Sequence, residues 1–163
     1  MTTDSTKQLL VDGLQELYYD ERRLVDALEE MAEGTDDEDV RQAFTKHHEE
    51  TKGHVDRLER AFDSLDEEAT ERTDQVLDAM LEEHDQFAAE NEGEVLDRYN
   101  LATAQKTEHF EIAAYGNLTS LAGKLGYDET ADLLEATLRE EEHALETVSE
   151  VSEQFDIEQV ASD

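Results

Sequence analysis

Residues 9–34 read LLVDGLQELYYDERRLVDALEEMAEG, and Leu10, Leu14, Leu17, Leu24, Leu28 and Met31 recur through them at helical spacing. That period keeps them on one face of a helix. The seam has a single polar member, Glu21, at a position the pattern otherwise reserves for the core. A carboxylate there is expensive unless it is paired, protonated or bound to a metal. Whether Glu21 is a stray boundary residue depends on what other helices place beside it.

Outward from this stretch, helix one runs from about Ser5 to Glu33, with Gly34 as its stop. Thr35 and Glu38 spell the T-x-x-E capping box of helix two, which carries Val40, Phe44, Val55, Leu58 and Phe62 and ends near Ser64. Residues 65–95 form a crossover: an acidic stretch, a shorter helix with Val76, Leu77, Met80, Leu81 and Phe87 on one face, and the turn ENEGE. Helix three spans about Glu94 to Leu125 with Leu101, Ile112, Tyr115 and Leu118, and Gly126 ends it. Asp128 caps helix four, whose Leu134, Leu138, Leu145, Val148 and Val151 lead to about Phe155. Proline is absent, so nothing interrupts these helices. Two helical hairpins joined by a long connection predict an all-α fold, a ferritin-like four-helix bundle with an extra short helix in the crossover. Residues 1–163 are expected to form one such domain.

Composition sets the chemical limits. With 46 Asp and Glu against 13 Lys and Arg, the chain carries a formal charge of −33, which argues against nucleic acid or an anionic membrane as partner. Acidic disordered tails lack the apolar period seen here, so the acidity belongs to a folded surface. At about 1 M salt the Debye length falls to roughly 3 Å, and a surface of this kind suits a salt-filled cytoplasm. We read a halophilic, soluble, cytoplasmic protein. There is no cysteine, so metal chemistry would use oxygen and nitrogen ligands alone. No segment approaches the roughly 20 apolar residues that span a bilayer, and MTTDSTKQLL lacks the features of a signal peptide.

In so acidic a chain, only acids on core positions are informative. Helix four repeats the pattern of helix one, with Glu141 the polar member of its seam. Helix three sets Gln105, Glu108 and Glu111 beside Leu101, Ile112 and Tyr115, and helix two sets His47, Glu50, Thr51 and His54 between Phe44 and Leu58. The heights agree: Glu21 lies 14 residues before Thr35 and Glu50 lies 15 after it, while Glu111 and Glu141 each lie 15 from Gly126. At about 1.5 Å per residue, both antiparallel pairs meet near mid-bundle. A dinuclear carboxylate site needs that convergence. Singly, Glu21, Glu50, Glu108 and Glu111 read as boundary acids, and His47, His54, His109 and His143 as core or boundary histidines. His48 and His84 are assigned to solvated faces.

Three runs, LYYDERRLVDALEEMA, AFTKHHEETKGHVDRLERAF and AQKTEHFEIAAYGNL, resemble the YciE/YciF family of ferritin-like, stress-associated proteins. The resemblance extends from about Leu9 to Val148, and its most specific part is the E-H-F-E-I-A-x-Y-G run from Glu108 to Gly116. It implies a bundle, usually a homodimer, with a di-iron centre. Its glutamates fall on Glu21, Glu50, Glu108, Glu111 and Glu141. The nitrogen ligands match less well. Gly53 stands three residues after Glu50 with His54 next, where the family more often has Gln, and Leu145 four residues after Glu141 cannot ligate. His54 is the better nitrogen ligand, and the Glu140-x-x-His143 pair at the seam's edge supplies His143 as another.

Glutamate with imidazole suits iron or manganese, with zinc as the common substitute. The reading is a centre of two iron ions per chain that reacts with O2 or peroxide, as a ferroxidase or peroxidase in stress defence. Tyr115, one turn beyond Glu111, is placed to hydrogen-bond a ligand or carry a radical, the alternative being a core tyrosine bonded to a backbone group. The rival is a metal-free dimeric interaction bundle whose inward acids are protonated or paired with Arg22 or Arg98. A mineral-filled storage cage is a third reading, for which no cage contacts are identifiable.

Overall fold

The computed structural model describes residues 5–162, so residues 1–4 and 163 of the expected domain lie outside it. It contains helices α1 (Thr6–Gly34), α2 (Glu38–Ser64), α3 (Gln75–Ala88), α4 (Gly93–Leu125) and α5 (Asp128–Ser162). Among the described residues there is no strand, and no helix is long and apolar enough to cross a membrane. Helices α1 and α2 form one antiparallel hairpin and α4 and α5 the other, with α1 beside α4 and α2 beside α5. The crossover carries α3, which packs on α4. This is the four-helix bundle expected from the seams.

The caps explain where the helices stop. Ser5 accepts from the Gln8 amide at 3.1 Å and opens α1. The capping box expected from Thr35 and Glu38 does not form. Thr35 instead closes α1, its hydroxyl donating to the Met31 carbonyl at 2.6 Å, and Asp37 opens α2 by accepting from the amides of Asp39 and Val40, both at 3.0 Å. A carboxylate two residues nearer those amides takes the capping role. From α4, buried Asp97 accepts from the amides of Asp36 and Asp37 at 3.0 and 2.9 Å and ties this turn to the second hairpin. Gly126 ends α4 at φ +81°, a left-handed conformation that glycine takes without steric penalty. The last helix continues past Phe155 to Ser162, since residues 156–162 contain neither glycine nor proline to stop it.

The apolar core has two halves. At one end Leu10, Leu14, Leu17, Leu58, Phe62, Tyr115 and Leu134 pack together; at the other, Leu28, Met31, Val40, Phe44, Leu101, Val148 and Phe155. Each such side chain contributes about 1.5–3 kcal/mol on burial. Glu21 falls between Leu17 and Leu24, so the level between the halves is polar. In α3, Leu77, Leu81 and His84 share a face, and that face turns inward. His84 is therefore buried rather than solvated, with Nε2 at 2.7 Å from Asn100 Oδ1, while Asn100 donates to the Thr35 hydroxyl at 3.1 Å.

Candidate metal centre

Each long helix buries a stripe whose members alternate between steps of three and four, as a 3.6-residue turn requires. On α1 it is Leu10, Leu14, Leu17, Glu21, Leu24, Leu28 and Met31. On α2 it is Val40, Phe44, His47, Thr51, His54 and Leu58. On α4 it is Asp97, Leu101, Ala104, Glu108, Glu111 and Tyr115, and on α5 Leu134, Thr137, Glu141, Ala144 and Val148. At mid-height these stripes present Glu21, His47, His54, Glu108, Glu111 and Glu141, each no more than 6 % exposed.

The ligating atoms of these side chains form two overlapping groups, His47 with Glu108, Glu111 and Glu141, and Glu21 with His54 and Glu141. Within each group the atoms lie inside 4.8 Å of one another. Glu141 belongs to both: its Oε1 is 2.9 Å from His54 Nδ1 and its Oε2 is 3.7 Å from His47 Nε2. His47 Nε2 also stands 2.6 Å from Glu108 Oε1, and His54 Nδ1 3.3 Å from Glu21 Oε1. Many atoms of these side chains nevertheless lack a hydrogen bond, including Glu21 Oε2, Glu108 Oε2, Glu111 Oε1, both oxygens of Glu141, and Nδ1 of His54, while His47 Nδ1, also without one, lies on the Glu50 side. Buried polar atoms are nearly always hydrogen-bonded, so a cluster of exceptions at one level is a chemical signal.

Electrostatics gives the same signal. Burial pushes the carboxyl of Glu111 well above the usual carboxylate range, and the charges of Glu141, Glu21 and Glu108 push it further. Burial also raises Glu21 and Glu141, partly offset by the imidazole of His54 beside them. Burial opposes the charged form of His54, yet its contacts with Glu141 and Glu21 lift it to about 10. His47 is likewise raised, against desolvation, by Glu108. Without a metal the cluster therefore holds protons that a cation could replace.

The surrounding side chains fix the orientation. Glu140 is held by Arg57 through two contacts of 2.9 and 3.0 Å, and its Oε2 lies 2.9 Å from His54 Nε2. A carboxylate only accepts, so the Nε2–H donates outward and Nδ1 is left facing Glu21 and Glu141. Tyr115 donates from its hydroxyl to Glu21 Oε1 at 2.5 Å. Burial, then the charge of Glu21, hold that phenol well above its ordinary value, so it stays protonated.

Of the residues singled out in the sequence, the structure brings together Glu21, His54, Glu108, Glu111 and Glu141. Glu50 and His143 it does not. Glu50 is 31 % exposed on its side chain and reaches Lys46 Nζ at 3.6 Å and His47 Nδ1 at 3.7 Å, while His143 is 63 % exposed and pairs with Glu146 at 3.7 Å. Both fall one position off the buried stripe of their helix. His47 takes the vacated role on α2, seven residues before His54, so both imidazoles come from one helix two turns apart. The signal was its place in the run 44–47–51–54–58. Arg22 and Arg98, considered as partners of inward acids, pair instead with Glu71 and Asp156.

A family model described as "Domain of unknown function (DUF892)" matches residues 5–161. The chain belongs to this family. Within DUF892, Protein YciF of Escherichia coli strain K12 is 36% identical over 143 residues, covering 86% of each chain. The crystal structure of the E. coli stress protein YciF superposes with a TM-score of 0.88 at 32% identity, over 93% of this chain and 97% of that one. The YcfI protein of Rhodopseudomonas palustris, whose description proposes a structural role, gives 0.87 at 34% identity over 90% and 94%. A Xanthomonas campestris protein gives 0.75 at 21% identity over 97% and 98%, which speaks to the fold alone. The YciE/YciF resemblance is thus that of the DUF892 family.

Proposed function

We propose that this DUF892 chain holds two transition-metal ions, iron being the best fit, and reacts with O2 or peroxide in stress defence as a ferroxidase or peroxidase. The observation that carries the reading is Glu141, whose two oxygens face the two histidines in different ligand groups. The donor set fits the ions. Four carboxylates and two imidazoles are the complement of dinuclear carboxylate bundles, and their unpartnered oxygens and nitrogens converge where cations would be held. Glu21, His54 and Glu141 would hold one ion, and His47, Glu108, Glu111 and Glu141 the other. Bound iron would supply the redox change and a binding position for the oxidant.

The chain's own part is orientation and exclusion. Arg57 and Glu140 keep His54 Nδ1 turned inward. Tyr115 keeps a proton at its hydroxyl on Glu21, a hydrogen bond that a negatively charged ligand could share. The apolar halves above and below keep bulk water out, which strengthens every charge interaction at this level. A second reading, a metal-free structural bundle, is favoured by the description of the R. palustris relative and by the short His47–Glu108 and His54–Glu141 contacts, which protons alone would satisfy.

Elemental analysis of untagged protein purified in high salt separates them. Two ions per chain are expected, and Glu141→Gln should lower the content below one and stop ferrous oxidation while the helical fold persists. Glu50→Gln should leave both near the parent's values. Ion-free protein from metal-replete cells, with no uptake of added ferrous iron, would establish the structural reading instead.

A further inference from the structure

A groove of about 560 Å³ runs between α1 and α4, and Asp20 forms part of its lining. Asp20 is only 1 % exposed, and its Oδ1 has no hydrogen-bond partner. None of the other unpartnered buried atoms lines this groove, nor the grooves beside Arg22 and Lys52 or beside Ala43 and Thr147. Asp20 is one residue before Glu21, and Leu17 and Ala114 of the same lining stand one helical turn from Glu21 and Glu111. It therefore borders the groove on one side and the metal cluster on the other. Further out, Asp12, Glu16 and Asp74 line the same groove, with Arg72 spanning Asp12 and Glu16 at 2.9 and 3.2 Å. The opposite wall comes from α4, where Ala114, Leu118 and Leu121 are joined by Asn117, Ser120 and Lys124.

We propose that this groove is the uptake route for the divalent metal cation, and that Asp20 is the carboxylate that receives the ion and passes it to the cluster. The proposal rests on the metal-binding reading above. The ligating carboxylates line none of these grooves, so an ion must first meet an acid that borders a groove on one side and the cluster on the other. Asp20 is such an acid. Four carboxylates, Asp12, Glu16, Asp20 and Asp74, outnumber the two cationic side chains, Arg72 and Lys124, along the groove and raise the local cation concentration, an effect that reaches ~10- to 10³-fold in on-rate where a cleft carries a single sign of charge. The far wall from α4 carries no carboxylate, so the acids that could hold the cation all lie on the side of α1 and the crossover. Asp20 is a relay and not a member of the final ligand set, since it belongs to neither group of converging atoms.

Stopped-flow loading of the full-length ion-free protein with Co2+ in high salt, followed by the absorption of the bound ion, tests this. Asp20→Asn should slow loading about tenfold and leave the final number of ions unchanged. Asp26→Asn makes the same substitution at a position outside this groove and should load at the parent's rate. Ala114→Phe, which fills the groove from α4, should also slow loading at unchanged stoichiometry, and it decides the matter if Asp20→Asn does not fold. Parent-like rates in the groove variants, an equal slowing in Asp26→Asn, or a lower final stoichiometry in Asp20→Asn would each overturn the relay. A parent protein that takes up no Co2+ would instead overturn the metal-binding reading on which it depends.

Discussion

His54 shows how one side chain ties the stability of the ion-free protein to pH. Its imidazolium persists to about 10 in the fold, against about 6.5 unfolded, so the folded state binds the extra proton. That contribution is complete below about 6.5 and is lost as pH rises through the folded value. The raised carboxyls of Glu21, Glu111 and Glu141 act with the same sign, because the fold keeps protons that an unfolded glutamate releases above about 4.3. The melting point of the ion-free protein should therefore fall from mildly acidic pH to pH 10, and His54→Asn should flatten the upper part of that fall. Metal affinity should move oppositely, since ions displace those protons. A melting point that rises through this window would contradict the cluster's charge state. At this scale the sequence showed most of the cluster: Glu21 and Glu141 stood out because their neighbours on the seam are apolar. It was less informative on α2, where several polar residues adjoin and only the three–four step separates inward His47 from half-exposed Glu50. His143 was chosen for its spacing from Glu140, but His143 faces outward of the buried stripe while Glu140 turns toward His54.

At the scale of elements, the α1–α2 turn depends on a residue from the opposite hairpin. Asp97 accepts two backbone amides at that turn, and no water can replace it in a position 2 % exposed. Asp97→Ala should destabilise by about 1–3 kcal/mol, the range for leaving buried donors unpaired, and Asp97→Asn by less, because one acceptor remains. Urea titration at fixed high salt measures both, and equal midpoints for parent and Asp97→Ala would remove the clasp. Helix number, order and the crossover were legible because the seams are long and uninterrupted. The caps were not, since Thr35, Asp36 and Asp37 all bring a side-chain oxygen to the start of α2, and only the assembled bundle turns Thr35 to the Met31 carbonyl, Asp37 to the α2 amides and Asp97 to the turn. The end of α5 was illegible for a simpler reason. Its apolar seam finishes at Phe155, while nothing in residues 156–162 prevents the helix from continuing.

For the whole molecule, a formal charge of −33 on 163 residues opposes compaction wherever salt is dilute. Lowering salt from molar to millimolar should reduce the helical circular dichroism of the ion-free protein, and an unchanged signal and melting point would argue against a halophilic surface. The same titration has a second arm, which follows from where the cluster draws its side chains. Glu21, His47 and His54 belong to the first hairpin and Glu108, Glu111 and Glu141 to the second, with the whole crossover between them. Ions shared by these residues would bind the hairpins together as a cross-link, closing a long loop in the way that a disulfide does and disfavouring the unfolded chain accordingly. Loaded protein should then keep its helicity to lower salt than ion-free protein, with a chelator abolishing the difference. A chain without cysteine would thereby possess a removable staple, one released by acid or by metal scarcity rather than by a change in redox conditions.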